Sequence, residues 1–225
     1  MYKFLNHSKR ALKVGLKHGW LPGARYTNLR DVRDFIKIGF LDITWNDYDF
    51  STHLKAVKKT QPIFTVAQDI FNIQDAKLSI AQAKHLSDYC DKVIVVPKDH
   101  KHAQELIDMI PNNFVLGYSV PTKYGKSSIP IEHFDGRPVH LLGGRPDVQL
   151  NLARYLNVGS IDCNRFTLDA TFGDYYDGEI FRPHPKGGYF QCIEDSIINI
   201  NTAWDKYSGP TCHPSEYPVQ QVLNL

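Results

Sequence analysis

Aspartate residues stand where several apolar runs of this sequence end. Asp42, Asp69 and Asp162 each close or closely follow such a run, and Lys98 follows another. A carboxylate in this position either caps the following helix or is partly desolvated, and a desolvated carboxylate can act as a nucleophile, an acid or a base. Because three aspartates share this position, we predict that they meet in one active site.

A glycine pair followed by an arginine forms a second candidate site, in the segment His140–Asp147. Gly143 and Gly144 would let a ligand approach the backbone, and a following helix would offer free N–H groups at its N-terminus. Arg145 would add a positive charge suited to an anion. The pattern is typical of a phosphate-binding turn, although a glycine pair can equally form a tight turn without a ligand.

A third candidate follows the apolar run around residue 115. Gly117 would let a flat ligand lie against the backbone, and Tyr118 or Tyr124 could stack on a base. Lys123 and Lys126 would suit a phosphate group. A surface loop with solvated lysines accounts for the same residues equally well.

Two further segments, Gly19–Asn28 and Phe181–Tyr189, mix aromatic and basic residues with glycine and proline. We predict irregular loops there, of the composition that nucleic-acid grooves use. Arg25 and Arg182 in these segments, together with Arg165 after the last predicted strand, are the candidates for nucleic-acid contacts. Irregular structure without any ligand is the alternative.

The sequence shows no pattern typical of a metal site, a cofactor site or a strongly basic nucleic-acid-binding surface. The ten histidines and four cysteines show no HxH, HExxH or CxxC pattern, so we predict no metal site and no cofactor. The net charge of +2 and pI near 8.2 are too low to predict a dedicated nucleic-acid binder, for which a pI above about 9 is usual.

The start of the chain has no apolar leader segment, and no run approaches the roughly 20 apolar residues of a membrane span. We therefore expect a cytoplasmic protein with reduced thiols, in the host cytoplasm if it is viral.

The apolar runs alternate with amphipathic stretches from near the N-terminus to beyond residue 165. Several runs are apolar throughout, as in parallel strands covered by helices, and the alternation predicts βαβ units. The predicted strands are Tyr2–Asn6, Lys37–Ile43, Pro62–Ala67, Lys92–Val96, Asn113–Val120, Val139–Leu142 and Val158–Asp162. The predicted helices are Ser8–His18, Asp75–Tyr89 and Pro146–Leu156.

These elements predict an α/β fold of the (β/α)8 TIM-barrel type, compact or incomplete, in a single domain over residues 1–225. Six or seven predicted strands are slightly too few for eight, and the chain is shorter than the ~250 residues typical of such barrels. No GxGxxG turn supports an open dinucleotide-binding sheet. A loop-like tail is expected from about residue 205. In a barrel, the C-terminal strand ends would bring the three aspartates to one face.

With Asp42, Asp69, His140–Pro146 and Gly159–Cys163 taken in order, the chain resembles the tRNA-guanine transglycosylase superfamily. It looks closest to the DNA 7-deazaguanine transglycosylases of phages and bacterial modification islands. The stretches VPTKYG, VHLLGGRPDVQ and SIDCN carry the resemblance best, and it covers roughly residues 11–204.

The resemblance implies a role for each aspartate. Asp162, in the pair Asp162–Cys163, matches the position of the nucleophile that attacks C1′ of a guanosine. Asp42 matches the general base, and Asp69 matches the residue that recognises the Watson–Crick edge of the base. The residues assigned to substrate binding are Asp69, Lys98, Gly117, Tyr118, Gly143, Gly144, Arg145 and Asn164.

The sequence departs from this superfamily at three places. Ile43–Trp45 replaces the small residues after the general base, and Val96–Asp99 replaces the Val-Gln-Gly-Gly turn that reads the base. The closely spaced cysteines of the zinc site in the tRNA enzymes are absent, so we expect no zinc subdomain and no tRNA substrate in the usual form.

The resemblance implies an enzyme that exchanges guanine in DNA for a 7-deazaguanine. Its expected partners are DNA, a free 7-deazaguanine base and either a second copy of the chain or other proteins of a modification system; no membrane is expected. Two alternatives remain: a barrel enzyme acting on a phosphorylated sugar or nucleotide, and a non-catalytic DNA-binding subunit.

Overall fold

The computed structural model describes residues 1–44, 46–122 and 125–218. Eight parallel strands pair in chain order, and the last strand pairs with the first to close a barrel. This arrangement confirms the predicted TIM-barrel fold and shows a complete barrel. The strands are β1 Tyr2–Asn6, β2 Leu21–Arg25, β3 Phe40–Asp42, β4 Phe64–Val66, β5 Lys92–Val95, β6 Val115–Ser119, β7 Val139–Leu142 and β8 Val158–Asp162.

The strand that sequence reasoning missed is β2, which lies inside the segment 19–28 predicted to be an irregular loop. Pro22 and Gly23 gave that segment the appearance of a turn. In the barrel Gly23 is required by close packing, because a Cβ atom there would lie 1.8 Å from Oδ1 of Asn6. The prediction of a loop was wrong because Gly23 does not mark a turn. It lacks a side chain so that β2 can pack close to β1.

Helices cover the outside of the barrel. They are α1 Lys9–Lys17, α2 Phe50–Thr60, α3 Ile73–Ser87, α4 Ala103–Met109, α5 Pro146–Leu152, α6 Arg165–Asp169 and α7 Tyr189–Trp204. Short 3-10 turns lie at His100–His102, Ile131–Phe134, Ala170–Phe172 and Pro214–Glu216. The three predicted helices correspond to α1, α3 and α5, although α5 ends four residues before the predicted end. None of the described helices is long and apolar enough to cross a membrane.

A two-stranded antiparallel ribbon follows the barrel, formed by β9 Asp174–Tyr176 and β10 Phe181–Pro183. The second strand lies in the segment 181–189, where we predicted an irregular loop, so that prediction was wrong for its first three residues and for Tyr189, which begins α7. Helix α7 packs against the ribbon and against α1. Residues 205–218 are irregular apart from the last 3-10 turn.

Aromatic rings fill the middle of the barrel. The rings of Phe4, Phe40 and Phe64 lie 5.2 Å apart in two of their pairs, and the imidazole of His140 lies 5.3 Å from Phe40. Side chains alternate along a strand, so the residue two positions further on also faces inward. This alternation carries polar side chains to the C-terminal mouth of the barrel, among them Asn6, Asp42 and Asp162.

Candidate active site

Asp162 is the most firmly held of the carboxylates at the barrel mouth. Its Oδ1 accepts hydrogen bonds from the Gly143 N–H at 2.9 Å and from Nε2 of His140 at 3.2 Å. Its own carbonyl accepts a bond of 2.8 Å from the side chain of Gln149, which is fully buried. Only 9% of the Asp162 side chain is exposed, and no described residue donates to Oδ2. One oxygen is therefore anchored by two donors, and the other accepts no hydrogen bond from the described residues.

Asp42 lies in a different environment at the end of β3. Burial, followed by the negative charge of Asp162, raises the pKa of Asp42 to about 7. The N–H of Ile43, which donates to Oδ1 at 2.8 Å, and the charge of Arg25 oppose this rise without cancelling it. Asp42 can therefore hold or release a proton near neutral pH, as a general acid or base must.

Asp69 and Lys98 form the other side of the mouth. Burial raises the pKa of Asp69 to about 6, against the opposing charge of Lys98. The Lys98 ammonium donates to Oγ of Ser119 at 2.7 Å and to the carbonyl of Lys126 at 3.0 Å. Burial lowers the pKa of Lys98, and Asp69 raises it. Asp69 also raises the pKa of Asp42, by less than Asp162 does, so the charges of both other aspartates act on Asp42.

A cavity of about 230 Å³ opens beside Asp42 at the ends of β1, β2, β3 and β8. Asn6, Arg25 and Asn164 contribute to its wall. The side-chain oxygen of Asn164 accepts a bond of 2.9 Å from the Asn6 N–H, which joins the ends of β1 and β8. Two predicted residues, Arg25 and Asn164, thus line the same space as Asp42.

Neither Gly117 nor Tyr118 of the third candidate segment lines this space. Tyr118 is only 4% exposed, and its ring packs edge-on against Phe134, 5.2 Å away on the 3-10 turn outside the strands. A Cβ atom on Gly117 would lie 2.7 Å from Val96 and 2.8 Å from Ile94, so this glycine serves packing between strands. The predicted stacking by Tyr118 and the ligand platform at Gly117 are not supported by these positions. Lys123 and Tyr124 lie outside the described residues.

The glycine turn after β7 donates a hydrogen bond to the carboxylate of Asp162. Gly143 and Gly144 have φ angles of 63° and 85°, in the left-handed region that favours glycine. The Gly143 N–H donates to Asp162, and a Cβ atom on Gly144 would lie 2.2 Å from Cγ1 of Val120. The turn was predicted to bind phosphate, but this N–H already has a partner.

The predicted cation of this turn is also engaged. Nε of Arg145 donates to Oδ1 of Asp147 at 3.0 Å, and its guanidinium lies 5.2 Å from the centre of the Phe181 ring. These contacts tie the turn to its own helix and to the ribbon.

Two other predicted nucleic-acid contacts are ion-paired within the chain. Arg165 donates two hydrogen bonds to Asp169, at 2.6 and 2.8 Å, and Arg182 pairs with Asp177. Arg25, by contrast, makes no ion pair with any described residue.

Sequence reasoning assigned no role to His140 or Gln149, both of which are fully buried beside Asp162. A signal for His140 existed in the strand pattern, because it and Ser160 are polar residues in otherwise apolar strands. Gln149 gave no such signal, since a glutamine in an amphipathic helix is usually exposed. Within residues 1–44, 46–122 and 125–218, no cluster of three or more His, Cys, Asp or Glu side chains could hold a metal ion.

Comparison with known proteins gives a family without an assigned activity. No curated protein matches the chain. The model of a family of unknown function, DUF6610, matches residues 15–205, which include strands β2–β8 and all three aspartates of the mouth. The chain therefore belongs to this family of unknown function, DUF6610.

Proposed function

We propose that this protein is a base-exchange transglycosylase that replaces guanine in DNA with a 7-deazaguanine. The observation that carries the proposal is the contrast between two carboxyl groups at one barrel mouth. Oδ1 of Asp162 accepts two hydrogen bonds, while burial raises the pKa of Asp42 to about 7. Two carboxyls in such different environments can divide the roles of nucleophile and proton carrier.

In the first step, Oδ2 of Asp162 attacks C1′ of the deoxyguanosine. The C1′–O bond forms as the C1′–N9 bond breaks, through an oxocarbenium-like transition state that the carboxylate stabilises. Asp42, protonated, donates its proton to the departing guanine. The step leaves a glycosyl ester on Asp162 and a carboxylate on Asp42.

In the second step, the incoming 7-deazaguanine reverses the chemistry. Asp42 accepts the N9 proton, N9 attacks C1′, and the ester bond to Asp162 breaks with its electron pair returning to the carboxylate. Both groups end in their starting states, so the exchange needs no redox partner. We assign recognition of the base to Asp69 and Lys98, whose opposite charges interact beyond the ends of β4 and β5.

The choice of DNA follows from the resemblance to the DNA enzymes and from the absence of the closely spaced cysteines found in the tRNA enzymes. A target base in a duplex must be turned out of the helix, at a cost of a few kcal/mol. The alternative of a phosphorylated sugar or nucleotide substrate loses support, because the Gly143 N–H is bonded to Asp162.

An exchange assay tests the proposal. Purified protein is mixed with radiolabelled guanine and guanine-containing DNA, and in parallel with RNA of the same sequence. Label in the DNA is the expected result. DNA that is bound without taking up label would indicate a non-catalytic subunit, and label in RNA alone would contradict the assignment of DNA.

A further inference from the structure

The histidine behind Asp162 is buried in an aromatic cage. The imidazole of His140 has no exposed surface, and its centre lies 5.9, 5.3 and 6.4 Å from the ring centres of Phe4, Phe40 and Phe64. These rings hold the imidazole plane but offer it no conventional hydrogen bond. A polar ring in this position must find its partners elsewhere.

Both ring nitrogens find partners on β8. Nδ1 lies 2.8 Å from Oγ of Ser160, and Nε2 lies 3.2 Å from Oδ1 of Asp162. Ser160 is also buried, with 1% of its surface exposed. The three side chains form a continuous path from the barrel interior to its mouth.

We propose that His140, oriented by Ser160, is a positioning residue that fixes the Asp162 carboxylate and stabilises its negative charge. Its kinetic consequences rest on the proposed function, whereas the structural role does not. Nothing in the transfer chemistry brings His140 into contact with a substrate, so it acts through Asp162.

The hydrogen-bond directions follow from what each group can do. An ionised carboxylate only accepts, so Nε2 carries the proton that is donated to Asp162. In the neutral ring Nδ1 then accepts, and the Ser160 hydroxyl donates to it. Ser160 thus selects the tautomer that presents an N–H to Asp162.

The hydrogen bond from His140 should affect the two steps of the exchange reaction differently. Two donors on Oδ1, from His140 and Gly143, leave Oδ2 as the attacking oxygen. When the glycosyl ester breaks, negative charge returns to the carboxylate, and the same donors stabilise it. Loss of the His140 donor should therefore slow release of the ester more than its formation, so that the covalent adduct accumulates.

The titratable groups around Asp162 come from several elements. Asp42 faces it from β3 and His140 from β7, and Cys163 follows it in the chain. Burial raises the pKa of the Cys163 thiol to about 12, so this thiol stays neutral over the working range. Strand β1 pairs with β8 on the other side, and its inward residues near the mouth, Phe4 and Asn6, do not titrate.

A carboxyl titration followed by ¹³C NMR tests the proposal without any substrate. His140→Phe fits the aromatic cage but removes the donor, so the carboxyl of Asp162 should titrate at higher pH in the variant than in the wild-type protein. His140→Gln keeps an N–H donor at a similar reach and should return the pKa close to the wild-type value. Ser160→Ala, a smaller change in volume, should raise the pKa in the same direction by less.

The chain offers a matched control in His53. This histidine is also fully buried, with Nε2 at 2.8 Å from Oγ1 of Thr65 and Nδ1 at 3.0 Å from the hydroxyl of Tyr48, and it contacts no carboxylate of the mouth. His53→Phe should leave the Asp162 pKa unchanged. An unchanged pKa in His140→Phe and Ser160→Ala, or an equal shift in His53→Phe, would overturn the proposal.

The exchange assay separates this proposal from the proposed function. In an active enzyme, His140→Phe should move the acid limb of the pH profile to higher pH and increase the fraction of trapped adduct. If the wild-type protein exchanges no base but the Asp162 pKa still shifts as expected, the positioning role stands and the transglycosylase proposal fails. Exchange with an unchanged acid limb in His140→Phe would contradict the positioning role alone.

Discussion

Asp42 and Asp162 have the same side chain but opposite surroundings. Asp162 keeps two hydrogen-bond donors on one oxygen, whereas Asp42 has one local donor and faces the charge of Asp162. Desolvation and a like charge both favour the protonated form of a carboxyl. Ionisation of Asp42 therefore lowers the stability of the folded protein.

This cost gives a prediction for Asp42→Asn. The folded-state pKa of about 7 lies above the unfolded value of 3.8, so the wild-type protein loses stability as pH rises between these values. The variant avoids this loss and should be more stable than wild type at pH 8, by on the order of 1–3 kcal/mol, with a smaller gain near pH 5. Urea unfolding at the two pH values measures the difference.

Asp49→Asn is a control of opposite sign. Hydrogen bonds from Thr52 hold the pKa of Asp49 below its usual value at the exposed start of α2. The change there should be neutral or slightly destabilising at pH 8, since asparagine is also a good helix cap. A gain for Asp42→Asn that is the same at pH 5 and pH 8 would show that its carboxyl is not perturbed as described.

The sequence predicted the positions of these aspartates because each ends an apolar strand, and parallel strands of a barrel end on one face. It did not predict the surroundings that distinguish them. The role of His140 depends on Ser160, which is 20 residues away in the chain and becomes a neighbour only when β7 and β8 pair. Such contacts across strands leave no local pattern.

Among the elements, the turn after β7 has the glycine pair expected of a ligand-binding turn, but its close contacts are with other residues of the protein. Two consecutive glycines with positive φ angles predict close approach of something to the backbone. At Gly143 the approaching group is Asp162, and at Gly144 it is Val120. The same holds for β2, where Pro22 and Gly23 are residues typical of a turn but lie in a strand.

The two glycines should differ in their response to a methyl group. Gly144→Ala combines a left-handed φ with a Cβ atom 2.2 Å from Val120, so we expect a loss of about 3 kcal/mol or more in the free energy of unfolding. Gly143→Ala has the same backbone strain but open space at Cβ, and should cost about 1–2 kcal/mol. Urea denaturation of both variants tests this, and equal losses would argue against the tight contact at Val120.

In the molecule as a whole, the charge is nearly balanced and the candidate nucleic-acid contacts are few. Arg145, Arg165 and Arg182 are engaged by aspartates of the same chain, and Arg25 lies in the wall of the cavity beside Asp42. Of these four arginines, Arg25 is the one that makes no ion pair with a described residue. The composition predicted the balance of charge, but which aspartate pairs with each arginine could be seen only in the folded structure.

The salt dependence of DNA binding should follow this distribution. Each neutralised phosphate contributes about −0.9 to the slope of log K against log salt on duplex DNA. Arg25→Ala should reduce the slope by about one unit, whereas Arg182→Ala should change it less, because Asp177 already compensates that charge. Titrations between about 50 and 200 mM salt measure the slopes, and a slope indifferent to Arg25 would exclude it from the phosphate contacts.

Trapping a covalent adduct on Asp162 would show directly whether this residue is the nucleophile. Wild-type protein is incubated with guanine-containing DNA, denatured rapidly and digested, and its peptides are analysed by mass spectrometry, with Asp162→Asn in parallel. Asparagine keeps the size and the acceptor oxygen for the Gly143 N–H but removes the attacking charge, so the variant should fold normally and bind DNA.

If Asp162 is the nucleophile, we expect the wild-type peptide that contains Asp162 to gain the mass of a base-free deoxyribose with its attached DNA fragment, and we expect neither adduct nor base exchange in Asp162→Asn. If Asp162 were only a structural anchor, asparagine would serve nearly as well and exchange would continue. Base exchange by Asp162→Asn within a few-fold of the wild-type rate would contradict the claim.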